Sequence, residues 1–228
     1  MPFFLSFFCP FRREGLRLLK NNFLTVYSNA KVFSIFMLIL GLFVVAVISQ
    51  PLLIGYVLLS MVGFSVNAIT SIKKEFISKW GKYKLTLPVK RAAIVKSYFI
   101  SQLIWLLVGI LYAGIVISLS WALHGCPYDN SIDVVSIFAL GISVSIFTGA
   151  FFFPLLYLGG EERSDVFLVI SLLCGIGVVL GIISVLNLYL APGVTTILLS
   201  AAILLLSSLL MFALSYPLTV GIYHKKEY

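Results

Sequence analysis

The chain has 228 residues, 61% of them hydrophobic and 11% charged, with sixteen Lys or Arg against eight Asp or Glu and a formal charge of +8. A soluble domain would carry about 25% charged residues, so this composition and a mean hydropathy of +1.12 exclude a soluble globular class and indicate a polytopic membrane protein. Three cysteines, Cys9, Cys126 and Cys174, lie far apart with no CxxC and no nearby histidine except His124, which excludes a disulfide framework or a zinc site.

The first 31 residues contain five basic side chains, Arg12, Arg13, Arg17, Lys20 and Lys31. No basic residue precedes the apolar run up to Phe11, which argues against a secretory signal. Leu16, Leu19, Phe23 and Val26 or Tyr27 recur at helical spacing. This pattern predicts an amphipathic helix lying in the membrane interface, arginines at the headgroups and apolar face in the acyl chains. The alternative is a disordered basic tail.

Beyond Lys31 the charge-free intervals read as membrane. Residues 32–72 hold two crossings at roughly 20 residues each, broken at Ser49-Gln50-Pro51, where proline removes a backbone donor. The predicted spans are 32–49, 52–70, 97–121, 134–158, 166–186 and 194–216. The turn-like stretches 124–130, 159–165 and 187–193 separate the last four. The fold class is therefore all-α: a cytoplasmic tail and interfacial amphipathic helix over 1–31, then a six-span domain over 32–228 with a cytoplasmic loop at 71–97.

Six spans place the N-terminal tail, the loop after the second span, the GGEERSD loop and the C-terminal tail on one side. They carry five, eight, one and two of the sixteen basic residues, while the opposite side has only Asp129, Asp133 and His124. The positive-inside rule then puts both termini in the cytoplasm. The positive charge is thereby accounted for as topology and lipid contact, with no nucleic-acid partner.

Catalytic constellations are not found. Gly81-Lys82 lacks the rest of a P-loop, so ATP is not bound here by that device. Gly175-Ile176-Gly177 followed by Gly181 superficially resembles a dinucleotide loop, but inside an apolar span Gly177-x-x-x-Gly181 reads as a helix-packing surface. Glu161-Glu162 beside Arg163 reads as a solvated charge cluster, because a metallopeptidase would need further ligands at membrane depth. The spans contain no Asp, Glu, Lys or Arg, which argues against a proton-driven carrier. Asn67, Gln102, Thr148 and many serines are expected to satisfy one another or the backbone. No cofactor is expected.

The stretch 72–98, IKKEFISKWGKYKLTLPVKRAAIVKSY, is the largest polar object and holds eight of the sixteen basic residues. Ile72, Phe76, Trp80 and Tyr83 share one face of a helix, which Leu85-Thr86-Leu87-Pro88 would stop. Pro88 then opens a second helix through Lys90 and Arg91. Topology explains the lysines, not the aromatic stripe or the Leu-Pro break.

Lys79-Trp80 through Tyr83, Leu85-Thr86-Leu87-Pro88-Val89-Lys90-Arg91 and Ile94-Val95-Lys96-Ser97-Tyr98 together resemble the cytoplasmic signature of type-2 ATP-binding-cassette (ABC) permeases. More narrowly, they resemble the small six-span permeases of bacterial peptide and bacteriocin-immunity exporters, with Glu75 standing at the acidic position. The similarity covers about twenty residues, and residues 2–10 are an addition to the family's usual N-terminus. It implies a non-enzymatic permease subunit in the cell membrane, paired with itself or a sister permease and carrying separate cytoplasmic ATPase subunits. It also implies that Glu75, Phe76, Trp80, Tyr83, Leu87, Pro88, Lys90 and Arg91 contact the ATPase. An uncharged path fits export of an amphipathic peptide or lipid-like molecule better than an ion channel. The alternative is a scaffold or immunity protein that recruits a cytoplasmic partner without transport.

Overall fold

Helix forms wherever the sequence is continuously apolar, because backbone polar groups in a bilayer must be satisfied within the segment. The computed structural model describes residues 13–47, 49–77, 91–125, 131–160, 163–189 and 193–225. They form six helices: α1 (Arg13–Val47), α2 (Gln50–Ile77), α3 (Arg91–His124), α4 (Ser131–Gly159), α5 (Ser164–Tyr189) and α6 (Val194–Lys225). Each contains a stretch long and apolar enough to cross a membrane: Ala30–Val47, Gln50–Lys74, Ala92–His124, Ile132–Gly159, Ser164–Tyr189 and Val194–Tyr223. The all-α, six-span expectation therefore holds. The predicted breaks at 49–51, 124–130, 159–165 and 187–193 each overlap a junction between observed helices, although the helices run one to three residues into them.

The helix ends follow local chemistry. Pro51 lies in the first turn of α2, where its missing N–H costs nothing. Gly125 and Gly160 close α3 and α4 at φ +83° and +81°. Their N–H groups donate to Trp121 O at 3.0 Å and Leu156 O at 3.2 Å, the single-bond left-handed cap that glycine adopts without a Cβ clash.

Two segments differ from expectation. α1 runs unbroken from Arg13 through the first span, without the turn near Lys31 that an in-plane helix would need before entering the membrane. Asn22, Val26 and Ala30 are all buried at four-residue spacing, so the same stripe packs on the bundle before and after the polar residues. α2 and α3 extend into the polar stretch at each end, leaving 78–90 as the connection between them. Ile72, assigned above to an aromatic docking stripe, is 2% exposed in the core.

α1 packs on α2 and α3, and α2 on α3; α5 and α6 pack on α4. α4 joins the two groups through α2, and α6 adds contacts to α3. More than half of the α4 span is buried (56%) against 17% of α5, which makes α4 the central helix and α5 a peripheral one. Small residues set the closest crossings. A Cβ on Gly109 of α3 would lie 2.8 Å from Ser60 O of α2, and Ser60 Oγ donates to Gly109 O at 3.2 Å. Such close backbone approach, with hydroxyl donors across it, is how helices associate where lipid is as apolar as leucine.

Asn67, Gln102 and Thr148 find acceptors inside the bundle as expected, whereas among the described residues Ser101 Oγ, Gln102 Oε1, Trp105 Nε1, Ser120 Oγ and Ser143 Oγ are buried without a hydrogen-bond partner. Asn67 Nδ2 donates to Gly63 O at 3.2 Å and Thr148 Oγ1 to Val144 O at 2.8 Å. Gln102 Nε2 donates to Ser145 O at 2.9 Å and Ser65 Oγ at 3.1 Å, linking α3 to α4 and α2. Its amide occupies the space that a Cβ on Gly149 would fill.

Candidate functional site

Contacts at one end of the bundle locate the roots of the 78–90 connection. Asn22 of α1 donates to Ser97 Oγ of α3 at 2.9 Å, and Ser97 Oγ donates to Ile94 O at 2.7 Å. Tyr216 OH of α6 donates to Ala92 O of α3 at 3.4 Å. Lys73 near the end of α2 pairs with Asp165 in the first turn of α5. Tyr157 of α4 and Tyr223 of α6 meet with ring centroids 4.9 Å apart. These contacts bring together the starts of α1, α3 and α5 with the ends of α2, α4 and α6, as an up-and-down bundle of six crossings requires. This is the basic end.

The first turns of α3 are rooted there by packing. Ile94, Val95, Ser97, Tyr98 and Phe99 are buried, and even Lys96 is only 9% exposed. Phe99 contacts Phe153 of α4 at 4.4 Å between centroids, and Phe212 and Tyr216 of α6 at 4.8 and 5.7 Å. A second aromatic column holds α1 to the same helix: Trp105 stacks on Phe23 at 5.3 Å and on Phe64 at 6.2 Å. Aromatic pairs at these separations add to the packing beyond their buried area. The first turns of α3 are thereby packed against α1, α4 and α6.

Of the residues expected to contact an ATPase, three have a described backbone, and it lies at this end. Glu75 and Phe76 lie in the final turns of α2, and Arg91 opens α3; their side chains lie outside the described residues, as do Trp80, Tyr83, Leu87, Pro88 and Lys90 altogether. Pro88 as a helix opener and the 85–88 stop lie there too. Gly177 and Gly181 are on the exposed side of α5, where a Cβ on either would meet nothing within 4 Å. Within this chain the close glycine of α5 is Gly175, whose Cβ would lie 3.1 Å from Thr148 Oγ1 of α4.

Several contributors carried no local signal in the sequence. Asn22, Ser97 and Tyr216 are ordinary polar residues whose partners lie 75 to 124 positions away. Lys73 was visible as part of the charge cluster, but Asp165 is 92 residues distant. Farther along α3, Ile110, Gly114, Ile115, Ser118, Ala122 and Phe138 of α4 line a groove of about 660 Å³ with no charged wall.

Among the described residues, no group of His, Cys, Asp and Glu is placed to hold a metal ion. The geometry is that of a packed bundle with a basic rim and two helices extending beyond the apolar core toward a shared connection. A family model described as ABC-2 family transporter protein matches residues 17–224, which spans all but the ends of the chain. No curated protein and no solved structure matches the chain. With six membrane-length helices, and with the match running from the first turns of α1 to the last turn of α6, the chain belongs to the ABC-2 family of transporters, as a multi-pass permease subunit.

Proposed function

We propose that this permease exports an amphipathic peptide across a bacterial cell membrane, driven by ATP hydrolysis on separate cytoplasmic ATPase subunits. ABC-2 permeases work with an ABC ATPase. Here the 78–90 connection and its flanks, through Glu75, Phe76, Trp80, Tyr83, Leu87, Pro88, Lys90 and Arg91, form the docking surface on the cytoplasmic side. Both termini share that side. Two permeases, identical or sister chains, enclose the path, and Gly177 and Gly181 offer a smooth surface on α5 for that association. The basic rim also holds anionic lipid headgroups.

The observation that carries this reading is the rooting of both ends of 78–90 in the bundle. Ile72 and Lys73 are buried on one side, and the turns from Ile94 to Phe99 on the other. A docking segment on a flexible tether would dissipate a push, whereas one continuous with two packed helices delivers it. The lack of acidic or basic residues in the predicted spans supports an apolar path for the peptide.

The test is co-purification with the ABC ATPase encoded beside the gene. Wild-type permease retains the ATPase through detergent extraction, and the Trp80→Ala/Arg91→Ala double variant loses it while remaining folded. Undiminished association of that variant would contradict the docking assignment.

A further inference from the structure

The two ends of the 78–90 connection are anchored in different ways. Downstream, α3 is held by aromatic packing and by Asn22 and Tyr216. Upstream, among the described residues, the charged side chain of Lys73 reaches across to α5. Lys73 is buried along its length, its side chain 10% exposed, and its Nζ meets Asp165 Oδ1, whose side chain is 87% exposed. α2 and α5 are not packed along their lengths, so this contact joins two helices with little other shared surface.

The asymmetry of burial has a mechanical consequence. A lysine enclosed by the bundle is costly to leave without its counter-charge. Asp165, in solvent at the start of a helix where the dipole favours a carboxylate, can pivot without clashing. The lysine end behaves as a socket and the aspartate end as a free joint. A shift of the end of α2 therefore draws α5 with it, and α5 packs on α4, the central helix.

We propose that Lys73 and Asp165 are positioning residues that carry displacement of the 78–90 connection to α5 and hence to the α4–α6 half of the bundle. This rests on reading 78–90 as the segment moved by the ATPase. Other charged groups of the same rim among the described residues include Lys74, Arg163 and Lys225, which are exposed, and Lys96 of α3, which is buried; Lys73 is the one whose carboxylate partner is Asp165 of α5.

The experiment uses the full chain with Cys9, Cys126 and Cys174 changed to serine, reconstituted with its ATPase in lipid discs. One reporter thiol is placed on the connection (Lys84→Cys) and, in a separate chain, one at the far end of α5 (Tyr189→Cys), where the side chain is 80% exposed. Thiol labelling rates are read with and without ATP and vanadate. Both reporters respond in the parent. With Lys73→Asp the reporter at 84 still responds and that at 189 falls to its nucleotide-free rate; the exchange Lys73→Asp/Asp165→Lys restores it.

A response at 189 that persists in Lys73→Asp overturns the proposal and leaves the pair as a surface brace. Should Lys73→Asp not assemble, Asp165→Asn, which removes the charge and keeps the shape, is read by the same criterion. Silence at 84 in the parent would defeat the coupling reading and this inference together. Silence at 189 alone would defeat only the inference.

Discussion

Pro154 sits inside α4 and has no N–H to give, so Ala150 O loses its helical donor. Ser215 Oγ of α6 takes that place at 2.6 Å, and so the helix break is met by a hydroxyl from the neighbouring helix. Removing the hydroxyl with Ser215→Ala leaves a buried carbonyl unpaired and should lower stability by about 1 kcal/mol. The same change in a Pro154→Ala background, where position 154 regains its N–H, should cost less; equal costs in the two backgrounds, measured by thermal unfolding in detergent, would remove this account. Glycines give a second contrast. Gly109→Ala drives a Cβ against the α2 backbone at Ser60 and Met61 and should destabilise by roughly 1–3 kcal/mol, whereas Gly181→Ala meets open space and should not. The sequence showed Gly177 and Gly181 as a small-residue pair but not which side of α5 faced a neighbour. Gly175, two residues away, makes the intramolecular contact, because periodicity gives spacing without absolute orientation.

At the scale of elements, the crossings were legible and their extensions were not. Long intervals without charge must be helical in lipid, and Pro51, Gly125 and Gly160 punctuate them where predicted turns lie. The first 31 residues are ambiguous because Leu16, Leu19 and Phe23 show the same period whether an amphipathic helix lies flat or continues into a span. Asn22, Val26 and Ala30 are buried along one face, with Asn22 on Ser97 of α3, and no Gly or Pro between Leu16 and Lys31 interrupts the helix. Ile72 was read as part of a docking face on periodicity, yet α2 carries it into the core before the connection begins. The polar bridges from Asn22, Lys73, Gln102 and Tyr216 escaped the sequence for a common reason. Each joins segments far apart in the chain, and one sequence holds no register between helices.

For the whole molecule, the distribution of charge says more than its sum. All sixteen basic residues fall on one side of a six-span reading, and the contacts among the ends of α1 to α6 are those of an even number of crossings. The proposed cytoplasmic placement of both termini predicts that Cys126, between α3 and α4, reacts with a membrane-impermeant maleimide in intact cells, in a Cys9→Ser/Cys174→Ser chain; labelling only after lysis would invert the topology. Membership in a transporter family directs attention to the rim where 78–90 leaves and re-enters. On the proposed reading, this rim receives work from an ATPase. That reading is tested most directly by the ATP hydrolysis rate of the neighbouring ABC ATPase in lipid discs, with and without the permease. The account predicts a rate raised by wild-type permease and returned to the ATPase-alone value by Trp80→Ala/Arg91→Ala; a rate indifferent to the wild-type permease, with both proteins folded, would contradict it.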